Sequence, residues 1–418
     1  MTSSSGKRVL LGITGGVAAY KTATLVRLLV RAGVDVRVVM TEAATRFVTP
    51  TTLQALSGQK VWTDLWDASV PDHMAHIELS RDRDLVVVAP ATADFIAKAA
   101  LGLADDLLSS LVLARECPLI VAPAMNRQMW ERSATQRNVD ALRADGVILV
   151  GPAVGDQACG ETGPGRMVEP EALLAEIEAA FQSKVLAGKR VLVSAGPTEE
   201  PIDPVRVLTN LSSGRMGYAV ARAAREAGAQ VTLISGPVHL PAPLGVARVN
   251  VRTAQEMFDA VKTASGACDV FFSVAAVADY RVKKPAAQKI KKGAASLRRL
   301  ELEENPDILA WVASRPRGPF CVGFAAESGN LAAHARAKRE KKGVPLVAAN
   351  LVQESLGQDD GALTLFDARG AHALGRGPKL ALARKLVLHV AKMLLSGGRA
   401  RSAPRTARAA KRRKTRRR

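Results

Sequence analysis

Two stretches of the chain carry the same succession of patterns. From Lys7 to Thr41 (KRVLLGITGGVAAYKTATLVRLLVRAGVDVRVVMT) an unbroken apolar run gives way to glycines. Apolar positions at helical spacing follow, and then a second apolar run. The order repeats from Lys189 to Gly236, which opens KRVLVSAGPT and returns through AVARAAREAGAQVTLISG. Short unbroken runs predict buried strands, the 3.6-residue period predicts a helix, and Gly33 and Gly228 stand where those helices stop. Each stretch is therefore a βαβ unit. Two independent first strands in one chain predict an α/β protein of two tandem doubly wound, Rossmann-like domains, joined through the helix Glu171–Phe181 and a connector ending at Gly188. Further strands are expected at Asp84–Ala89, Pro118–Ala122 and Val147–Val150, and again at Asp269–Val274, Phe320–Phe324 and Pro345–Ala348. Alternation about Gly370 in ALTLFDARGAHAL (Ala362–Leu374) predicts an edge hairpin, and an amphipathic helix follows over roughly Lys379–Leu395. The predicted divisions are 1–188, 189–396 and a tail, 397–418.

Composition supports a folded core: 48% of the 418 residues are hydrophobic, and no apolar run is long enough to span a bilayer. The opening MTSSSGKRVLLGITGG enters a strand without a hydrophobic signal segment. Four widely separated cysteines form no CxxC pair, which argues against a zinc site of that kind and for a reducing compartment, hence a cytoplasmic protein. The net charge of +20 is unevenly placed. The last twenty residues hold eleven basic side chains and no acid, leaving +9 for the rest. Such a tail is expected to be disordered. It offers nucleic acid or anionic lipid a contact through counterion release, although a solubilising extension accounts for it more simply. Aromatics at 4% leave little scope for base stacking.

The first half carries a distinctive chemical pattern. PAMN puts Asn126 directly after an apolar run, and QACGETGPGRM puts Cys159 in a loop rich in glycine (Gly155, Gly160, Gly163, Gly165). A thiol on a mobile flap facing a strand-end amide is the arrangement of a proton donor that closes over a substrate. Asn126 serves equally well as a helix N-cap, and His76 in HIELS is either structural or substrate-facing. Gly15, Gly16, Thr41, Thr92 and Ser109 supply turns, hydroxyls and helix N-termini suited to a single phosphate, as in FMN.

In the second half a long loop, PTEEPIDPVRVLTNLSSGRMG, precedes its helix, and a loop of that length is usually functional. Asp279 ends a strand, a natural position for a magnesium or sugar contact. Eight basic residues follow between Arg281 and Arg299, and AKREKKG adds a second cluster. Basic clusters around a strand-end acid suit a triphosphate with magnesium.

GGVAAYK, MTEAATRFVTP, HIELS, APATAD, PAMN and ACGETGPGRM together resemble the flavin-dependent cysteine decarboxylases. Residues 7–395 as a whole resemble the bacterial bifunctional phosphopantothenoylcysteine decarboxylase / phosphopantothenate–cysteine ligase family of coenzyme A synthesis. The resemblance implies a flavodoxin-like decarboxylase domain using FMN, in which Cys159 is the proton donor, His76 an active-site residue, Asn126 the holder of the substrate carboxylate and Met129 part of the pocket. It implies a ligase domain that activates 4′-phosphopantothenate with CTP as an acyl-cytidylate for attack by cysteine. There Asn210, Arg206 and Lys289 act on the intermediate, and Asp279, Asn305, Pro306, Asp307, Ile308, Phe324, Lys338 and Lys342 contact the nucleotide. It further implies a trimer-based homo-oligomer, such as a dodecamer. The sequence departs from the family pattern at Arg215, where lysine is usual, and at Leu351, where aspartate is usual. Leu351 motivates the alternative of a decarboxylase whose second half binds nucleotide in a regulatory or structural role.

Overall fold

The computed structural model describes residues 4–67, 69, 74–291, 299–355 and 357–401. The tail beyond Arg401 lies outside the described residues, as do Lys292 and Arg298 of the basic run. The chain forms two compact units, Met1–Gln182 and Ser183–Arg418.

In the first unit six parallel strands run β1 (Arg8–Ile13), β2 (Asp35–Met40), β3 (Val61–Trp62), β4 (Leu85–Ala91), β5 (Leu119–Pro123) and β6 (Ile148–Leu149), in the spatial order β3-β2-β1-β4-β5-β6. Apart from Arg8, Asp35 and Arg37 the strands are apolar, because both faces are covered. Val9, Leu11, Ile13, Leu85 and Val87 enter one core layer, whereas Leu10, Val86 and Val88 enter the other. Burying each such side chain contributes about 1.5–3 kcal/mol. The order reverses between β1 and β4, so a crevice opens beyond their carboxyl ends. After β6 the chain adds a separate antiparallel hairpin, β7 (Ala153–Asp156) and β8 (Thr162–Arg166), which contains the glycine-rich segment.

The second unit repeats the plan with β9 (Arg190–Ala195), β12 (Gln230–Ser235), β13 (Ala247–Asn250), β14 (Val270–Ser273), β17 (Phe320–Glu327) and β18 (Leu346–Leu351). It extends the plan with the antiparallel strands β19 (Asp360–Asp367) and β20 (Gly370–Pro378), giving the order β13-β12-β9-β14-β17-β18-β19-β20. The edge hairpin expected around Gly370 is β19–β20. Two ribbons absent from the sequence reading, β10 (Glu199–Pro201) with β11 (Val207–Thr209) and β15 (Tyr280–Val282) with β16 (Leu302–Glu304), give structure to the long loop and the basic segment. The last helix runs Lys379–Arg401, beyond the predicted Leu395.

Candidate active sites

In the first unit a cavity of about 540 Å³ opens beyond the carboxyl ends of β1, β4 and β5. Gly15, Gly16, Thr92, Asn126, Met129 and Cys159 line it. Gly15 is required by close approach: a Cβ there would lie 2.5 Å from the Cβ of Ala43. Thr92 accepts a hydrogen bond from the Phe95 N–H as N-cap of the helix Ala93–Leu101, and its own N–H donates to Thr14 Oγ1 at 3.0 Å. The N-terminus of that helix therefore faces the cavity, where an anionic group gains from unpaired N–H groups. Val17, Ala18, Ala93, Met125 and Met167 add apolar surface to the lining. A glycine turn, a helix N-terminus and apolar walls fit a planar ring system bearing one phosphate.

The hairpin β7–β8 brings the thiol to the amide. Asn126 Nδ2 lies 3.2 Å from Cys159 Sγ and donates to Glu161 Oε2 at 2.7 Å. Its Oδ1 accepts from the Gln128 N–H at 2.8 Å, so Asn126 is at once an N-cap and a site residue. Glu161 also accepts from Gln128 Nε2 at 2.6 Å. These two side-chain hydrogen bonds, from Asn126 and then Gln128, hold its carboxyl below the usual carboxylate range. The Met125 N–H donates to the Gly165 carbonyl at 2.9 Å, which seats the hairpin on the end of β5. Cys159 is exposed, as a thiol that meets substrate must be.

Three predicted residues stand apart from this lining. Thr41 caps the short helix Glu42–Thr45, and Ser109 is buried in a capping box with Asp106. His76 lies on the helix Ala75–Ser80, with its Nδ1 buried and without a hydrogen-bond partner. Sequence reasoning missed Glu161 and Gln157. The only signal for them was their nearness to Cys159 in QACGE.

In the second unit a cavity of about 810 Å³ lies beyond β9, β14 and β17. Asn210, Asp279, Asn305, Pro306, Asp307, Ile308, Phe324, Lys338 and Lys342 all line it, as expected, together with Arg215, Lys341 and Lys379. Asn210 Nδ2 donates to the carbonyls of Ala276 and Val277 at 3.1 and 3.2 Å. Asn305 is fixed beside Asp279: its N–H donates to the Asp279 carbonyl at 2.8 Å, and its Oδ1 accepts from Arg281 Nη1 at 3.1 Å. Lys338 Nζ donates to the Phe324 carbonyl at 2.6 Å. Burial, and then repulsion from Lys342, push its pKa down despite the opposing carboxylates of Glu327, Asp279 and Asp307. Burial disfavours ionised Asp307, but hydrogen bonds from Lys342 and the Ala310 N–H outweigh it and keep that carboxyl acidic. The helix Arg215–Glu226 starts after Gly214 with its N-terminus at the cavity. Four lysines, an arginine and a helix N-terminus around one cavity fit a polyphosphate, and Asp279 is a carboxylate available to an accompanying divalent cation.

Arg206 and Lys289 do not line this cavity among the described residues. Arg206 Nη1 pairs with Asp203 at 3.1 Å and donates to the Ile290 carbonyl at 3.3 Å. Buried Asp203 also accepts from the N–H groups of Val205, Arg206 and Ile290. The loop carrying Asn210 and the segment carrying Lys289 are thereby bound together. Leu351 is outside the lining as well, its carbonyl accepting from Asn350 Nδ2 at 3.2 Å. Arg215 donates to Asp359 at 2.8 Å and to the Gly357 carbonyl at 3.1 Å.

Residues 1–182 match the family model described as Flavoprotein, and residues 186–394 match the DNA/pantothenate metabolism flavoprotein C-terminal domain. The chain is 50% identical over 392 residues to the coenzyme A biosynthesis bifunctional protein CoaBC of Vibrio parahaemolyticus, covering 93% of this chain and 98% of that protein. It is 48% identical over 372 residues to the protein of that name from Escherichia coli, covering 87% and 91%. Among solved structures, the C-terminal domain of a CoaBC protein is 37% identical with a TM-score of 0.45, covering 51% of this chain and 100% of that one. A PPC decarboxylase mutant complexed with pantothenoylaminoethenethiol is 34% identical with a TM-score of 0.39, covering 42% and 99%. With both models matched in tandem and a relative half-identical along nearly its whole length, the chain belongs to the bifunctional phosphopantothenoylcysteine decarboxylase / phosphopantothenate–cysteine ligase family of coenzyme A biosynthesis, a flavoprotein decarboxylase unit followed by a ligase unit.

Proposed function

We propose that the second unit joins L-cysteine to 4′-phosphopantothenate using CTP and magnesium, through an acyl-cytidylate. The first unit then decarboxylates 4′-phosphopantothenoylcysteine to 4′-phosphopantetheine with FMN. The observation that carries the decarboxylase assignment is the 3.2 Å approach of Asn126 Nδ2 to Cys159 Sγ, in a cavity also lined by Gly15, Gly16 and Thr92. Gly15, Gly16 and the Thr92 helix N-terminus would hold the flavin. Bound FMN supplies two-electron redox chemistry at the cysteinyl carbon–sulfur group, which makes loss of carbon dioxide from the neighbouring carbon feasible. Asn126, its amide held by Glu161, orients the departing carboxylate, and Met129 lines the same pocket. Cys159 delivers the proton from Sγ to the carbon skeleton once the carboxylate has gone.

In the ligase unit, Lys338, Lys342 and Arg215 offset the charge that accumulates on the phosphates as pyrophosphate leaves. Asp279 would carry magnesium. Asn305, Pro306, Asp307, Ile308 and Phe324 receive the nucleoside. Asn210 positions the activated carboxyl group, and Lys289, tethered through Asp203 and Arg206, closes over it.

We further propose a trimer-based homo-oligomer, supported by His76, which lies outside the cavity of a single chain with its Nδ1 buried and without a hydrogen-bond partner and would meet the flavin cavity of a neighbouring subunit. We propose a cytoplasmic location, which the four widely separated cysteines without a CxxC pair support. No helix among the described residues is long and apolar enough to cross a membrane.

Two measurements test the reading. The purified protein should be yellow and release FMN rather than FAD on denaturation, and its pyrophosphate release should require CTP, phosphopantothenate and cysteine together. A protein that takes up no flavin, or that releases no pyrophosphate, removes the corresponding half of the assignment.

A further inference from the structure

Three residues outside both cavities converge at the end of the terminal hairpin. Asp367 closes β19, His372 lies on β20 opposite Leu365, and His389 comes from the middle of the helix Lys379–Arg401. The Asp367 side chain is only 2% exposed. Its Oδ1 accepts from the N–H groups of Arg369 and Gly370 at 2.7 and 3.1 Å and faces His372 Nε2 at 3.1 Å. Its Oδ2 faces His389 Nε2 at 3.2 Å. The two rings lie 5.0 Å apart between centroids and are inclined by 49°. One ligand atom from each of the three residues lies within 4.8 Å of the others.

Hydrogen bonding accounts for each contact singly, and a shared cation accounts for the three ligands together. Oδ1 is already satisfied by two backbone donors, so His372 is not needed there. Both imidazole contacts lie at the long end of the ordinary hydrogen-bond range. They bring one imidazole to each carboxylate oxygen, and a cation taken up there would draw three ligand atoms already within 4.8 Å of one another inward to bonds of about 2.0–2.1 Å. The carboxylate is also oriented by backbone N–H groups, the kind of outer support that ligands of bound metals receive. Two imidazoles and one carboxylate select a borderline cation such as Zn²⁺ over Mg²⁺ or Ca²⁺, which prefer oxygen. His372, 37% exposed, leaves solvent access for a fourth ligand.

We propose that Asp367, His372 and His389 bind one Zn²⁺-class divalent cation, which fastens the C-terminal helix to the β19–β20 hairpin. The helix begins at Lys379, which lines the nucleotide cavity, so the cation would steady one wall of the ligase site without entering it.

The test uses the full chain, stripped by chelator and dialysed against Zn²⁺, with metal per chain and thermal unfolding measured. The parent should retain one more zinc than the His372→Gln/His389→Gln double variant. Its affinity should exceed that of either single variant by at least about 10–100-fold. Zinc should raise the unfolding temperature of the parent and not that of the double variant, and Mg²⁺ should not substitute. A Cys159→Ser control separates this site from thiol binding. Equal zinc content in parent and double variant, or a zinc increment lost only with Cys159, overturns the proposal. Should the double variant fail to fold, His372→Gln alone decides: a folded chain that keeps the parent's zinc affinity rejects the site.

Discussion

Replacing Gly165 by alanine tests whether the seating of the β7–β8 hairpin sets the decarboxylase site. Gly165 has φ +145°, which L residues rarely adopt. A Cβ there would lie 2.3 Å from the Met125 carbonyl oxygen and 2.6 Å from Gln157 Nε2. Neither neighbour is free to yield. The Met125 N–H is bonded to the Gly165 carbonyl at 2.9 Å, and Gln157 Oε1 accepts from the Arg127 N–H at 2.9 Å. Contacts to a Cβ essentially never fall below 3.0 Å, so the hairpin must withdraw by several tenths of an ångström. Cys159, carried between β7 and β8, then leaves its 3.2 Å contact with Asn126. A misplacement approaching 1 Å costs about 100-fold in rate where groups must be aligned, and the strained backbone costs about 1–3 kcal/mol. The expected result for Gly165→Ala is a fall of about 10–100-fold in kcat/KM for 4′-phosphopantothenoylcysteine decarboxylation. Flavin absorbance and CTP-dependent pyrophosphate release should be retained. Carbon dioxide evolution from the isolated intermediate gives the first rate independently of the second. A folded, flavin-loaded variant that decarboxylates at the parent rate refutes the reasoning.

Burial pushes the Cys268 and Cys321 thiols up to about 11 and about 12, while Cys159 is exposed. A thiol reagent at neutral pH should therefore label Cys159 rapidly and leave these two intact, as mass spectrometry of the modified peptides will show. Lys338, its pKa lowered by burial and then by Lys342, loses its proton below the ordinary lysine value. In that window the unfolded chain holds more protons, so stability contributed by this group rises with pH. Nucleotide binding, which needs the charged form, weakens over the same window. The KM for CTP should accordingly climb at lower pH than in Lys338→Arg, and coincident profiles would exclude Lys338 as a phosphate contact. Glu226, 1% exposed, pairs with Arg384 at 2.6 Å and Arg222 at 2.8 Å. Glu226→Ala deletes the buried carboxylate that both guanidiniums share and should lower the stability of the second unit by about 1.5–3 kcal/mol in chemical denaturation; a loss under about 0.5 kcal/mol contradicts that account. Asp203→Ala releases the Asn210 loop and the Lys289 segment together, so ligation should fall while decarboxylation of supplied intermediate stays at the parent rate.

The strands and the doubly wound plan were legible because parallel strands covered on both faces are apolar along most of their length. Val86, Val87 and Val88 announce β4 without any help from context. The ribbons β10–β11 and β15–β16 were not legible. Strands of three residues are too short to show a period, and β15–β16 pairs residues well separated in sequence. The same distinction holds for the sites. Cys159 and Asn126 stand in a glycine-rich turn and at a strand end, where pattern points to function, whereas the cavity-lining residues from Asn305 to Phe324 were indicated by the family resemblance and not by any pattern. Glu161 and Lys379 gained their places only through tertiary approach, from across a hairpin and from the start of a helix distant in sequence. Ser109 and Thr41 show how a local role and a site role draw on one group. Their hydroxyls match phosphate ligands in kind, but each is engaged in a helix cap, a local role that competes for the same chemical group.

One topology carries two chemistries because the electrostatic lining differs where the crevice is the same. In the ligase unit Lys338, Lys341, Lys342, Lys379 and Arg215 border the cavity, and a reaction that expels pyrophosphate gains from every cation that follows the growing charge. A decarboxylase has the opposite need. A cation held against the substrate carboxylate stabilises the ground state more than the transition state, in which that charge is leaving the group, so tighter binding would slow the step. The first unit is arranged accordingly. Lys21 and Arg166 both border its cavity, yet Lys21 lies 2.7 Å and Arg166 3.6 Å from Glu169, and the group beside Cys159 is the neutral amide of Asn126. Under the proposed assignment, Glu169 keeps those two cations from the departing carboxylate while Asn126 orients it with a hydrogen bond weak enough to give up.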